Sequence, residues 1–277
     1  MKIDSHQHYW LTSRTDYGWL QPSVKRLYAD YMPEDLKPLL KSHGIDRTII
    51  VQAAPTVAET EFMLGIAREE ETVAGVVGWV DLTAPDFEQV WLRLREDPYF
   101  VGIRPMIQDL PSEWILQDIV VKNLRVLADA QFPLDLQANM RHLPFLVQLL
   151  EQIPHLRAVV DHLAKPNIPS GALEPWGTQM EQLASFPNVM CKLSGMVPGT
   201  LDEPWTNEGI QPFALRAIEA FGRKRVMFGS DWPVCTLSAT YDQTVGLFEA
   251  CLTGDWSEEE RADVYGGNAA RFYGIKV

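Results

Sequence analysis

Cysteine is scarce: Cys191, Cys235 and Cys251 are the only three in 277 residues. They form no Cys-x-x-Cys pair and an odd number cannot all pair, so a disulfide framework is excluded and reduced thiols in a cytoplasmic protein are expected. Long apolar runs are missing too, none approaching the roughly 20 residues that span a bilayer. No basic-then-apolar leader pattern opens the chain. Positive charge is in deficit, with 24 Lys and Arg against 37 Asp and Glu and a formal net charge of −13. A field of that sign repels phosphate backbones and anionic lipid, which argues against nucleic acid and membrane surfaces as partners. Low-complexity stretches, linkers and short-period repeats are also lacking. Residues 1–277 therefore read as a single domain.

What is present is ample material for a large core, 46% hydrophobic residues including nine Trp. Eight short β-rich segments punctuate the chain: Lys2–His8, Arg47–Ala53, Val73–Leu82, Val101–Ile107, Pro133–Asn139, Leu156–His162, Val189–Ser194 and Val226–Ser230. Their spacing is roughly 32 residues per unit, against the ~31 that an eightfold barrel of about 250 residues requires. Helical patterns fill the gaps at Pro33–His43, Glu59–Glu70, Pro85–Arg95, Leu116–Ala130, Leu143–Gln152, Pro175–Ser185, Gln211–Phe221, Thr240–Cys251 and Ser257–Tyr273, the last opening on a capping box, Ser257-x-x-Glu260. Such alternation predicts an α/β fold, a closed (β/α)8 TIM barrel with a parallel sheet. Two connections exceed the others, Leu11–Met32 and Gly195–Glu208. Both would rise from the rim where barrel chemistry sits, and their aromatics suit a lid or wall.

The first segment ends in His6-Gln7-His8. Side chains alternate faces along a strand, so the two imidazoles reach one spot as metal ligands or proton carriers. Polar groups recur at the same end of the other segments: Gln52 on the second, Arg104 on the fourth, Gln137 on the fifth, His162 on the sixth, Lys192 on the seventh and Asp231 after the eighth. Charged groups inside a barrel are costly unless paired or used. Their arrival at one end on so many strands points to a functional mouth. Strand alternation also turns Asp161 away from its neighbour His162, so the two are not expected to act as a pair.

The ordered set Gly102-Ile103-Arg104-Pro105, Val159-Val160-Asp161-His162-x-x-Lys165-Pro166, Cys191-Lys192-Leu193-Ser194-Gly195 and Phe228-Gly229-Ser230-Asp231-Trp232-Pro233, following His6-x-His8, resembles the amidohydrolase superfamily, and within it the branch that hydrolyses lactones. The likeness covers essentially the whole chain. It implies a hydrolase that opens small lactones, such as L-fuconolactone, L-rhamnonolactone or a pyrone dicarboxylate, with Asp231 as the base that takes a proton from the attacking water. His162 would polarise the carbonyl or orient the water, and Arg104 and Lys192 suit a developing oxyanion. His6, His8, His162 and Asp231 offer a nitrogen and oxygen set for one zinc ion. Where many amidohydrolases carry a carboxylated lysine or a glutamate on the fourth strand, this chain has Arg104, which cannot bridge two ions. One divalent ion and metal-free catalysis both stay open.

Few cations, Arg104 and Lys192 with Lys165 and Arg14 at the rim, disfavour a dicarboxylate, which would need several guanidinium forks. Gln52, Gln137, Trp79 and Trp10 suit the hydroxyls and apolar face of a neutral sugar-acid lactone instead. The competing readings are a metal-dependent decarboxylase of a small aromatic acid on the same fold and a barrel that binds a sugar acid without turnover. Monomer and homodimer are equally compatible with the sequence.

Overall fold

The computed structural model describes residues 1–199 and 204–276. Its strands are β1 (Ile3–Gln7), β2 (Arg47–Val51), β3 (Val73–Gly78), β4 (Phe100–Ile103), β5 (Leu134–Leu136), β6 (Ala158–Val160), β7 (Val189–Leu193) and β8 (Val226–Phe228). Between them lie α1 (Pro33–His43), α2 (Val57–Glu69), α3 (Phe87–Arg95), α4 (Asp118–Asp129), α5 (Leu143–Gln152), α6 (Trp176–Ala184) and α7 (Asn207–Phe221), and α8 (Tyr241–Cys251), α9 (Glu258–Ala262) and α10 (Asn268–Tyr273) follow β8. Neighbouring strands pair in parallel in chain order. The ring closes where Gln7 bridges Trp232: His8 N–H donates to the Trp232 carbonyl at 2.7 Å and Asp231 N–H to the His6 carbonyl at 2.8 Å. The expected (β/α)8 barrel is present, and its closing seam joins the leading histidines to Asp231.

Side-chain alternation sorts the strand residues into two cores. Ile49, Val51, Val77, Val159 and Met227 cluster inside the barrel, where Ala269, Ala270, Phe272 and Tyr273 of α10 plug the end opposite the site. Ile50, Val76 and Val160 pack outward into the larger core under the helices, with Leu36, Met63, Leu124, Leu149 and Phe213. Burial on both faces explains why the strands read as nearly continuous Val and Ile runs.

The last helical segment is broken, contrary to the continuous Ser257–Tyr273 expected. The Ser257 capping box forms, Glu260 N–H to Ser257 Oγ at 3.1 Å and Ser257 N–H to Glu260 Oε2 at 2.9 Å. A wide turn over Asp263–Gly267 then interrupts the helix. There Gly266 lies so close to the N-terminal strand that a Cβ would come within 2.5 Å of the Met1 carbonyl oxygen. Helix α7 starts earlier than expected because Thr206 Oγ1 accepts the Gly209 N–H at 3.2 Å. In the Gly195–Glu208 connection, residues 200–203 lie outside those described. The Leu11–Met32 connection is anchored by a two-way backbone bridge between Trp10 and Tyr31 at 2.9 and 3.0 Å.

At the seam, buried Asp4 accepts N–H bonds from Ser230 (2.8 Å) and His6 (3.2 Å) and the Tyr241 hydroxyl (3.0 Å). Burial outweighs these donors and pushes its carboxyl up to about 6 from an ordinary 3.8. A raised folded value favours the neutral form, so this contribution to stability is complete below about pH 4. It is lost as pH rises through about 6. Asp4→Asn, neutral and of the same shape, is expected to flatten that stretch of the stability curve in urea unfolding between pH 4 and 7. An unaltered slope would remove Asp4 as its source.

Candidate active site at the barrel mouth

Asp231 follows β8 in the left-handed backbone region (φ +58°), which turns its carboxylate across the seam towards the imidazoles. Its Oδ1 lies 3.2 Å from His8 Nε2, 3.8 Å from His6 Nε2 and 4.0 Å from His162 Nε2. Burial alone would raise the Asp231 carboxyl, but His162, His8 and His6 outweigh it and hold the group well below the usual carboxylate range. Burial lowers His162 to about 4, and it lowers His6 as well, with Lys192 adding to the effect. At neutral pH the site thus holds an ionised carboxylate facing neutral His6 and His162.

Beneath that carboxylate lies a buried charge network. Lys192 Nζ sits 2.5 Å from Asp135 Oδ2, 3.2 Å from Asp161 Oδ1 and 3.3 Å from His6 Nδ1. Arg104 Nη1 is 3.3 Å from His6 Nε2 and 3.5 Å from Asp161 Oδ2, while its Nη2 donates to the Gln52 carbonyl. Gln52 returns a bond from Nε2 to the Arg104 carbonyl at 2.9 Å. Tyr273, from the plugging helix, donates to Asp135 at 2.8 Å. Burial raises Asp135 to about 6 even against Lys192; Asp161 is held low by Lys192 and His6 against its own burial.

Asp161 corrects the sequence reading. It points to His6, Arg104 and Lys192 rather than away from the site. Strand alternation stops at Val160, and the next residues leave the strand: His162, Leu163, Ala164 and Lys165 all have φ between +51° and +55°. A left-handed run of non-glycine residues is costly and persists only where its surroundings hold it. Here the His162 ring is held by a 2.9 Å contact from Nδ1 to Ser194 Oγ.

A cavity of about 1010 Å³ opens above. His8, Arg104, Gln137, His162, Asp231 and Lys165 contribute to its polar part, with Gln108 and Thr206, and Trp10 stands at its wall. Other expected residues fall elsewhere. His6, Gln52 and Lys192 lie fully buried behind the lining: Gln52 grips Arg104, and Lys192 is committed to Asp135 and Asp161. Trp79 is off the cavity, its backbone tied to Thr60 of α2 at 2.8 and 3.1 Å. Arg14, an expected rim cation, pairs with Asp16 at 2.6 Å and does not reach the lining. Sequence reasoning passed over Asp135, although it precedes the chosen Gln137 by two positions and so shares its face.

The donor set suits a metal ion in part. His8 Nδ1 is 2.7 Å from the Val51 carbonyl, an acceptor only, so Nδ1 carries a proton and Nε2 is left facing Asp231. His8 Nε2 and the Asp231 oxygen, 3.2 Å apart, can share a proton or ligate one cation together. His6, His8 and Asp231 place donor atoms within 4.8 Å of one another. His162 groups with His6 and Asp161 instead, so among the described residues three of the four expected ligands converge. Three buried carboxylates, Asp135, Asp161 and Asp231, against Arg104 and Lys192 leave room for an added cation. These residues fit one divalent ion, with Arg104 as its nearest competitor for His6.

A parallel (β/α)8 barrel whose mouth gathers imidazoles around a carboxylate is the architecture of a metal-assisted or base-assisted hydrolase. The chain belongs to the amidohydrolase family, whose model matches residues 3–275. It is 38% identical to the L-fucono-1,5-lactonase of Burkholderia ambifaria across 99% of this chain and 96% of that protein. It is 34% identical to the L-fucono-1,5-lactonase of Burkholderia multivorans, again across 99% and 96%. The crystal structure of a zinc-bound amidohydrolase from Burkholderia multivorans superposes with a TM-score of 0.92 at 33% identity, covering 100% of both chains.

Proposed function

We propose that this protein hydrolyses a neutral sugar-acid lactone to the free acid, with Asp231 as general base and residues 1–277 as one catalytic unit. The observation that carries the reading is the ionised Asp231 carboxylate at the cavity floor, ringed by three imidazoles. A water hydrogen-bonded to Asp231 loses a proton to it as its oxygen bonds to the lactone carbonyl carbon. The carbonyl oxygen takes the developing negative charge, and the Arg104 guanidinium at the cavity wall stabilises it. Neutral His162, its Nδ1 fixed 2.9 Å from Ser194 Oγ, turns Nε2 to the same space, where that nitrogen can donate to the carbonyl oxygen if Ser194 donates to Nδ1. Collapse of the tetrahedral intermediate breaks the ring C–O bond, and the proton held by Asp231 returns to the departing ring oxygen. A divalent ion held by His6, His8 and Asp231 would supply Lewis acidity and a more acidic water.

The lining also speaks to the substrate. Gln137 belongs to the cavity wall, where its amide suits a sugar hydroxyl. Among the described lining residues the fixed cations are Arg104 and Lys165, too few to bracket two carboxylates. The net charge of −13 disfavours phosphate polymers and anionic membranes as partners. Three buried free thiols suit a reducing, cytoplasmic setting.

A panel of lactones in a pH-indicator assay, run with and without chelator, tests the reading. L-Fucono- or L-rhamnonolactone should release acid while pyrone dicarboxylate reacts slowly. Reverse preference would overturn the cation argument, and CO₂ release from an aromatic acid would move the protein to the decarboxylases. Full activity after exhaustive chelation, with no metal by elemental analysis, would assign the reaction to the protein groups alone.

A further inference from the structure

Helix α10 stands at the end of the barrel opposite the mouth, yet one of its side chains reaches the buried charge network. The helix end is held from the barrel side. Arg157, just before β6, donates from Nη2 to the Phe272 carbonyl at 2.5 Å and the Arg271 carbonyl at 3.2 Å. The Tyr273 hydroxyl then spans the Asp135 carboxylate, 2.8 Å from Oδ1 and 3.0 Å from Oδ2. Its ring meets the Lys192 ammonium as well, with Nζ 5.4 Å from the ring centroid. Tyr273 thus touches both members of the Asp135–Lys192 pair, from a helix that contributes nothing to the cavity lining.

A lysine ammonium has three N–H donors and no acceptor. Here they meet Asp135, Asp161 and His6 Nδ1 at 2.5, 3.2 and 3.3 Å, so the place of Asp135 helps to set the place of the ammonium beside His6. Among the described residues Tyr273 is the donor to Asp135 Oδ1. Without it, that buried oxygen regains a partner by drawing the ammonium across both oxygens and off His6. The other ring nitrogen of His6 lies 3.8 Å from the Asp231 oxygen, and a misplacement of about 1 Å among reacting groups can cost up to about 100-fold in rate. Resting on the lactone reading for its effect on rate, we infer that Tyr273 is a positioning residue: its hydroxyl orients Asp135, Asp135 holds Lys192, and Lys192 steadies the His6 imidazole beside the Asp231 base. The last helix of the chain is in this way part of the catalytic apparatus as well as a plug.

The test compares two variants of the full-length protein. Tyr273→Phe loses the hydroxyl and keeps the ring, whereas Ile275→Ala, two residues on, takes packing from the same inner core and no polar side-chain contact. Tyr273→Phe should lower kcat on the preferred lactone about 10-fold and leave KM within about twofold, the pattern of an outlying residue that orients a reacting group. Ile275→Ala should lose stability and keep kcat. In Asp135→Asn, which already lacks the carboxylate, adding Tyr273→Phe should lower kcat by no more than about a further twofold. Wild-type kcat in Tyr273→Phe, an equal loss in Ile275→Ala, or the full loss repeated in the Asp135→Asn background overturns the inference. Imidazole NMR reads the same contact without turnover: the His6 ring signal, assigned with His6→Gln, should move in Tyr273→Phe and stay in Ile275→Ala. If no lactone is opened, the hydrolase reading falls, and a moved His6 signal still supports the positioning role while an unmoved one overturns it.

Discussion

Asp231→Asn is expected to lower kcat for lactone opening by about 10²- to 10⁴-fold, the span that loss of a positioned general base produces. The substitution should spare the fold. Asparagine tolerates the left-handed backbone that Asp231 occupies (φ +58°) better than most residues. The bonds that fix this residue are made by its backbone, N–H to the His6 carbonyl at 2.8 Å and carbonyl to the Cys235 N–H at 2.8 Å, and both survive. The surrounding imidazoles favour the ionised carboxylate in the folded state, so its removal should cost some stability at neutral pH while the backbone of the turn keeps its bonds. What disappears is the proton acceptor. The measurement is kcat on the preferred lactone with unfolding and metal content followed in parallel. Wild-type turnover in a folded variant would remove Asp231 as the base; loss of turnover with metal content unchanged would assign it to proton transfer rather than to metal loss.

The sequence carried the barrel well because its signals are local and repeated. A both-faces-buried parallel strand must be a short apolar run, and eight of them at near-constant spacing leave little else to build. Helix ends were legible where a cap is written in the chain, as at Ser257, and illegible where the cause is distant. Nothing within the Ser257–Tyr273 pattern shows that Gly266 must pass the Met1 carbonyl. The mouth was legible in the same uneven way. His8, Arg104, Gln137, His162 and Asp231 line the cavity, as strand-end polarity implied. Depth was not legible: alternation gives a face but not a height above the barrel floor. His6, Gln52 and Lys192 share the right face and sit behind the lining, and Trp79 belongs to the contact with α2. Asp161 was set aside by an alternation rule that its own strand abandons one residue earlier, a change that only the run of positive φ from His162 to Lys165 reveals.

That difference of height changes what Lys192 is for, and Lys192→Met makes the difference measurable. A lysine that touched the developing oxyanion would, when removed, lower kcat and leave stability alone. The structure instead places its Nζ between Asp135 and Asp161, with side chains fully buried on all three. Removing the cation leaves two buried carboxylates with Arg104, at 3.5 Å from Asp161, as the fixed positive charge nearby among the described residues. Breaking a buried pair by deleting one partner costs about 3–5 kcal/mol. In a chain of this size that shifts Tm by roughly 10 °C. Asp135 can soften the loss by taking up a proton, since burial already raises it to about 6. The loss should therefore be smaller near pH 5 than near pH 8, where Asp135 must either ionise unpaired or bind a proton against the gradient. The double variant Asp135→Asn, Lys192→Met should recover part of the stability, because it removes the carboxylate that Lys192 holds most closely. Urea unfolding of the single and double variants at both pH values checks each step. A single variant as stable as wild type, with kcat alone reduced, would return Lys192 to the substrate and refute the buried-network assignment.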